Sequence, residues 1–120
     1  MPISWDIDAG KRLVTSRLWG AVTEGEVHDH NQTLRDDPRF DPSYRQLVDL
    51  TGITEILVGT RLINQTAHDQ CFDPGSRRAF IASEDAVFGL ARMFATQAEA
   101  EGQTIEVFRD RTKAEEWLDG

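Results

Sequence analysis

Ile3, Trp5 and Ile7 alternate with Ser4, Asp6 and Asp8. A period of two buries one face of an extended segment and leaves the other wet. Ala9-Gly10 then offers a turn, with Gly10 free to take positive φ. Lys11 to Gly20 reads as the returning strand, carrying Leu13, Val14, Leu18 and Trp19, so the chain is predicted to open with a β-hairpin. Thr23-Glu24-Gly25-Glu26 has the layout of a capping box, in which the Thr23 hydroxyl accepts from the Glu26 amide and the Glu26 carboxylate reaches back to the Thr23 amide. Val22 and Val27 fit the accompanying hydrophobic staple. The helix is predicted to stop near Asp36-Asp37, because Pro38 disfavours helical geometry in the residue before it. Its apolar stripe is thin: Val27 and Leu34, with His30 and Asn31 between them.

Arg45 to Leu50 has the mostly apolar pattern of an interior strand, and Thr51-Gly52 is expected to end it. Ile53 to Val58 reads as neither helix nor strand with clarity. A helix is predicted from about Thr60 to Cys71, ended by the Asp73-Pro74-Gly75 turn. Arg77 to Ala82 reads as a second interior strand, and Ser83 as the N-cap of a helix running to about Glu101 with Gly102 as its stop. Ile105, Val107 and Phe108 form a last strand. Thr112-Lys113-Ala114-Glu115 reads as a second capping box opening a terminal helix with Ala114, Trp117 and Leu118 facing inward. The order is β-β-α-β-α-β-α-β-α. It implies an α/β fold: a mixed, mostly parallel five-stranded sheet with four helices. No linker or repeat divides the chain, and residues 1–120 are read as one domain.

Charge narrows the partners. Asp and Glu number 21 against 13 Lys and Arg, a net charge of −8 in 120 residues. A nucleic-acid binder needs a basic footprint, and docking on anionic lipid needs a basic patch, so neither is expected. No run of about 18 apolar residues predicts membrane insertion. The single Cys71 offers no internal disulfide, which with the absence of a signal-like start reads as a reducing cytoplasm.

Several segments resemble a known family. They are Asp37-Pro38-Arg39-Phe40-Asp41-Pro42 followed by Gln46-Leu47-Val48-Asp49-Leu50; Phe88-Gly89-Leu90-Ala91-Arg92-Met93-Phe94; and Val107-Phe108-Arg109-Asp110 with Trp117-Leu118. Together with the element order, these resemble the STAS domain, and most closely its bacterial SpoIIAA-like branch, grouped with CRAL-TRIO lipid-carrier folds. The resemblance implies the same sheet and helices over nearly the whole chain. It also implies a protein-interaction or ligand-binding role. In phosphorylated anti-sigma antagonists, a strand ending in Asp-Leu-Ser-Gly leads to Asp-Ser-Ser-Gly at a helix start, where a serine accepts phosphate. Here Asp49-Leu50-Thr51-Gly52 matches the first part, but the second lands on Leu57-Val58-Gly59-Thr60 and lacks the acceptor serine. The phosphorylation switch is therefore not carried over.

Little catalytic chemistry stands out. His28 and His30 are two apart on a predicted helix and point in different directions, and His30 is read as a hydrogen-bonded packing residue. His68 and Cys71, with Asp69 and Asp73 near, fall short of the ligand set of a zinc site. Ser83 lies in no nucleophile elbow, and no phosphate-cradling glycine loop is present, so neither a cofactor, a metal nor an enzymatic activity is expected. Arg77-Arg78 with Arg92 and Arg109 are the residues considered for a small anion site. In open α/β sheets, ligands settle outside the carboxyl ends of the strands. That places a candidate ligand or partner face at Asp49, Thr51, Thr54, Thr60, Arg61, Ser83 and Glu84. The alternative is a carrier of an apolar, lipid-like ligand, with Phe88, Met93 and Phe94 lining a cavity between helix and sheet. A homodimer through Trp5 or Trp19 is left open.

Overall fold

The structure is a computed structural model and describes residues 3–57, 59, 61, 63, 65–66 and 71–120. Strand β1 (Ile3–Asp8) pairs antiparallel with β2 (Leu13–Thr23), and helix α1 (Glu24–Asp36) leads to β3 (Arg45–Leu57). After the partly described segment come β4 (Arg77–Ile81), α2 (Asp85–Ala100), β5 (Thr104–Phe108) and α3 (Arg111–Asp119). The strands lie in one sheet in their chain order, β1-β2-β3-β4-β5, and every pair after the hairpin is parallel. The mixed, mostly parallel five-stranded sheet is as expected. Three helices are complete among the described residues, against the four expected. The predicted helix from Thr60 to Cys71 falls largely outside those residues, although Arg61, Ile63, Gln65 and Thr66 are helical.

The two faces of the sheet are covered unequally. Leu47, Ala79 and Ile81 point to the face where Ala114 and Leu118 of α3 close a core. The alternate positions point the other way. There, Ile7 and Val14 meet Leu34 of α1, while Ile3, Val22, Ile53 and Ala82 meet Val87 of α2. The exposed Ser4, Asp6 and Asp8 of β1 face away from this second core, as their alternation requires.

Local chemistry accounts for most of the boundaries. The capping box at Thr23 is present: Glu26 N–H donates to Thr23 Oγ1 at 3.4 Å, and Thr23 N–H to Glu26 Oε1 at 3.0 Å. Helix α1 ends at Asp36 just ahead of Pro38, as expected. The Asp37–Pro42 stretch folds through two carboxylates that accept from amides two residues on, Asp37 from Arg39 at 2.9 Å and Asp41 from Ser43 at 2.9 Å. Hydrogen bonds from Arg39 hold the Asp37 carboxyl at about 2, far below its usual value. Gly102, at φ +91°, ends α2 as predicted.

Four local expectations need correction. In the hairpin turn the positive φ belongs to Arg12 (54°), not Gly10. Lys11 N–H donates to Asp8 Oδ1 and Arg12 N–H to the Ala9 carbonyl, so the turn is longer than the two residues expected. Thr51-Gly52 does not end β3. The strand runs on to Leu57 because β2 itself continues past Gly20 to Thr23 and supplies a parallel partner, with register shifts near Trp19 and Gly20. Ser83 is not an N-cap. The Ala82 amide bonds the Phe108 carbonyl and carries the β4–β5 ladder onward, and α2 starts one residue later than expected, at Asp85, with Glu84 at its cap position. The last helix is capped by Asp110, whose carboxylate accepts from the Thr112 amide at 2.9 Å, rather than by Thr112.

Gly52 of β3 pairs with Trp19 of β2. A Cβ there would stand 3.0 Å from Cβ of Trp19. Gly52→Ala is therefore expected to destabilise the fold by about 1–3 kcal/mol through forced displacement of the two strands. Urea unfolding of the variant against wild type measures it, and an unchanged midpoint would show that the strands give way freely.

Candidate functional site

Three neighbouring strands each place a polar side chain among apolar ones on the face covered by α1 and α2. They are Ser16 on β2, Gln46 on β3 and Arg78 on β4, all buried. Gln46 and Arg78 are paired in register, so a contact between their side chains is set by the sheet itself. Helix α1 adds His30, the buried residue between Val27 and Leu34 on its thin stripe.

These groups form one chain of hydrogen bonds. Arg78 Nε–H donates to Gln46 Oε1 at 3.0 Å. An arginine can only donate, which orients the Gln46 amide so that its Nε2–H donates to Ser16 Oγ at 3.1 Å. The Ser16 hydroxyl proton is then directed to His30 Nε2, 3.2 Å away. This makes Nδ1 the protonated nitrogen of a neutral imidazole, donating to Asn31 Oδ1 at 3.1 Å. Every donor points from Arg78 toward Asn31. Burial is the main cause that lowers the His30 pKa below its usual value, and the nearby Arg78 charge adds to it. Burial also lowers Arg78, to about 10, so the guanidinium remains charged at neutral pH. Aromatic rings surround that charge: its centre is 4.5 Å from the ring centroid of Phe72, 5.7 Å from Phe80 and 5.8 Å from Phe94.

The chain of polar groups forms part of the wall of a cavity of about 150 Å³ between the sheet and the helices. Ser16, His30, Asn31, Gln46, Thr66 and Arg78 make the polar part of the lining, and residues such as Ile3, Val48 and Phe94 the rest. A second hollow of about 110 Å³ adjoins it and shares Leu18, Val27, Leu50, Ile63, Phe80 and Phe94. It reaches Val22, Val87 and Ala91, and all of its lining residues among the described ones are apolar.

The residues expected from sequence are only partly brought together. Phe94 lines both hollows. Phe88 instead packs beneath the Arg109 guanidinium, 4.2 Å from its ring centroid, and Met93 is 37% exposed, so neither lines this cavity. The side chains of α2 at Val87, Leu90, Ala91 and Phe94 face it, and Met93 falls off that stripe. Asp49 and Thr51 lie on the side of α3: Asp49 Oδ1 accepts from the Thr51 amide at 2.9 Å, and Arg111 approaches the carboxylate at 3.6 Å. Thr54, Ser83, Glu84 and Arg61 are exposed, and the Ser83 carbonyl accepts from Arg109. Thr60 lies outside the described residues, as do His68 and Asp69. The four arginines do not form one site. Arg77 stacks on Trp117 at 5.4 Å, Arg92 and Arg109 flank Phe88, and Arg78 alone enters the cavity wall. Ser16, Gln46 and Arg78 carry a sequence signal nonetheless: each occupies a core-facing position of its strand's alternation with a polar group.

The overall fold has a solved counterpart. The chain is similar to an uncharacterized protein of the DUF3478 family with a SpoIIAA-like fold from Shewanella loihica. The TM-score is 0.65 and the identity 16%, over 97% of this chain and 93% of that one. The SpoIIAA-like architecture expected from the sequence is thus shown at the level of fold. No family model and no curated protein matches the chain.

The buried neutral imidazole has a consequence for stability. The unfolded chain binds a proton at His30 near pH 6.5, while the folded chain resists it. The unfolded state then holds more protons, so stability rises with pH until about the unfolded value and is lost as pH falls below it. Denaturant midpoints are expected to drop between pH 7.5 and 5.5, and His30→Gln is expected to flatten that slope. An equal slope in the variant would place the titration elsewhere.

Proposed function

We propose that this protein is a binding domain rather than an enzyme, and that it carries a small apolar ligand in the cavity between α1, α2 and the sheet. The observation behind this reading is the paired hollows under the helices, one of them apolar in all its described lining residues. Close packing normally leaves few voids larger than a water molecule. A hollow of this size takes up a benzene-sized solute where its lining is apolar, as are the described lining residues of the smaller one. Two such hollows side by side suit a ligand on the order of ten non-hydrogen atoms. The SpoIIAA-like fold is compatible with this reading and does not select it.

Native mass spectrometry of freshly purified protein tests the proposal, read together with uptake of 1-octanol. An added mass that is lost on denaturation, or saturable 1-octanol binding, is the expected result. Ala91→Leu would fill the apolar hollow from the α2 side. It is expected to abolish that binding while shifting the thermal midpoint by only a few degrees, because the added methyl groups occupy existing space. Binding that survives Ala91→Leu unchanged, or the absence of binding in wild type, would overturn the assignment.

A further inference from the structure

The two hollows differ in what their walls can donate and accept. Among the described residues, the smaller has an apolar lining throughout, while Ser16, His30, Asn31 and Gln46 stand in the wall of the larger. In that wall the acceptors of the amides and the imidazole each have a donor already. Gln46 Oε1 accepts from Arg78, His30 Nε2 from Ser16, and Asn31 Oδ1 from His30. The donors are not used up. A carboxamide nitrogen carries two protons, and Gln46 Nε2 gives one of them to Ser16. Among the described residues, the second Gln46 proton and both protons of Asn31 Nδ2 meet no acceptor. Gln46 is 3% exposed, so bulk water does not take up its spare proton. A buried N–H without an acceptor is costly, more so than an oxygen with an unused lone pair.

Resting on the reading of the cavity as a ligand site, we propose that its ligand is a neutral carbonyl compound, a ketone or an ester. The carbonyl oxygen accepts from the spare N–H groups of Gln46 and Asn31, and the apolar body lies in the smaller hollow toward Val87 and Ala91. Three features support this. First, a surplus of donors in a buried wall is met by an acceptor, and a carbonyl oxygen offers two lone pairs. Gln46 stands on β3 and Asn31 on α1, so one oxygen bonded to both joins the sheet to the helix across the cavity. Second, an alcohol brings a proton of its own into a wall whose amide and imidazole acceptors are already engaged. A ketone or ester brings none. Third, the spare donors are neutral amides. An uncharged oxygen satisfies them without the cost of taking an ion out of water.

Acetophenone and α-methylstyrene share a shape and differ in whether an oxygen or a methylene group ends the double bond. Calorimetric titration of both against the full chain and two variants reads what the oxygen contributes. A pH of about 8.5 keeps the His30 imidazole neutral throughout. Asn31→Asp keeps the acceptor for His30 and removes both Nδ2 protons. Gln46→Glu keeps the acceptor for Arg78 and removes the Nε2 protons. Wild type is expected to bind both probes. Each variant is expected to weaken acetophenone about three- to tenfold, the range of one hydrogen bond, and α-methylstyrene by less than about twofold. A loss confined to acetophenone in either variant supports the assignment, and Asn31→Asp decides it if Gln46→Glu does not fold. Equal changes for the two probes in the folded variants would overturn the carbonyl assignment and leave the apolar site standing. Wild type that binds α-methylstyrene and not acetophenone would do the same. Failure of both probes to bind wild type would remove the ligand site and this inference together.

Discussion

A guanidinium that keeps its charge lies inside the covered face of the sheet, and the groups around it take their places from that fact. Arginine offers donors and no acceptor, so Arg78 fixes the orientation of Gln46, Gln46 that of Ser16, and Ser16 the tautomer of His30. A buried charge is costly unless it is compensated. An amide oxygen and aromatic faces contribute to that compensation here. The thin apolar stripe of α1 is the same arrangement seen from the helix. Where a bundle-like helix would present another leucine, α1 presents His30, because the strand opposite presents a serine. The packing gap beside this polar seam is the cavity.

The parts of the fold legible in the sequence are those decided by near neighbours. The hairpin alternation, the Thr23 capping box, the stop before Pro38 and Gly102 at the end of α2 all depend on residues a few positions apart. The errors occur where a distant partner decides. Thr51-Gly52 has the composition of a strand end, yet β3 continues because β2 continues beside it. Ser83 is a good cap by residue type, but the β4–β5 ladder claims the residue before it. Thr112 gives way to Asp110 for a local reason: a carboxylate two residues upstream accepts its amide.

The site was less legible than the fold. Phe94 is legible as a lining residue from its regular helical spacing, whereas Met93 is its neighbour in sequence, which on a helix means a different face. The strand-end residues Asp49, Thr51, Ser83 and Glu84 follow from a general rule about parallel sheets. Asp49 and Thr51 bond each other on the α3 side, and Ser83 is engaged through its backbone. What marked the cavity was the opposite of a surface motif: polar side chains at inward positions of Ser16, Gln46 and Arg78. Each is unremarkable alone. Their meeting depends on strand order and register, which a single sequence leaves open.

The order of the strands has one more consequence, for the time course of assembly. Each strand of the sheet lies beside the one made just before it, so a chain emerging N-terminus first finds every new partner already in place. Ser16, His30 and Gln46 come from the first half of the chain, and Arg78 arrives only with β4. The nascent chain therefore presents Ser16, His30 and Gln46 before it acquires the charge that orients them. The α2 residues that wall the cavity come later still. A chain stopped after β3 lacks the strand and helix that wall the hollow, and the last third of translation is what closes it.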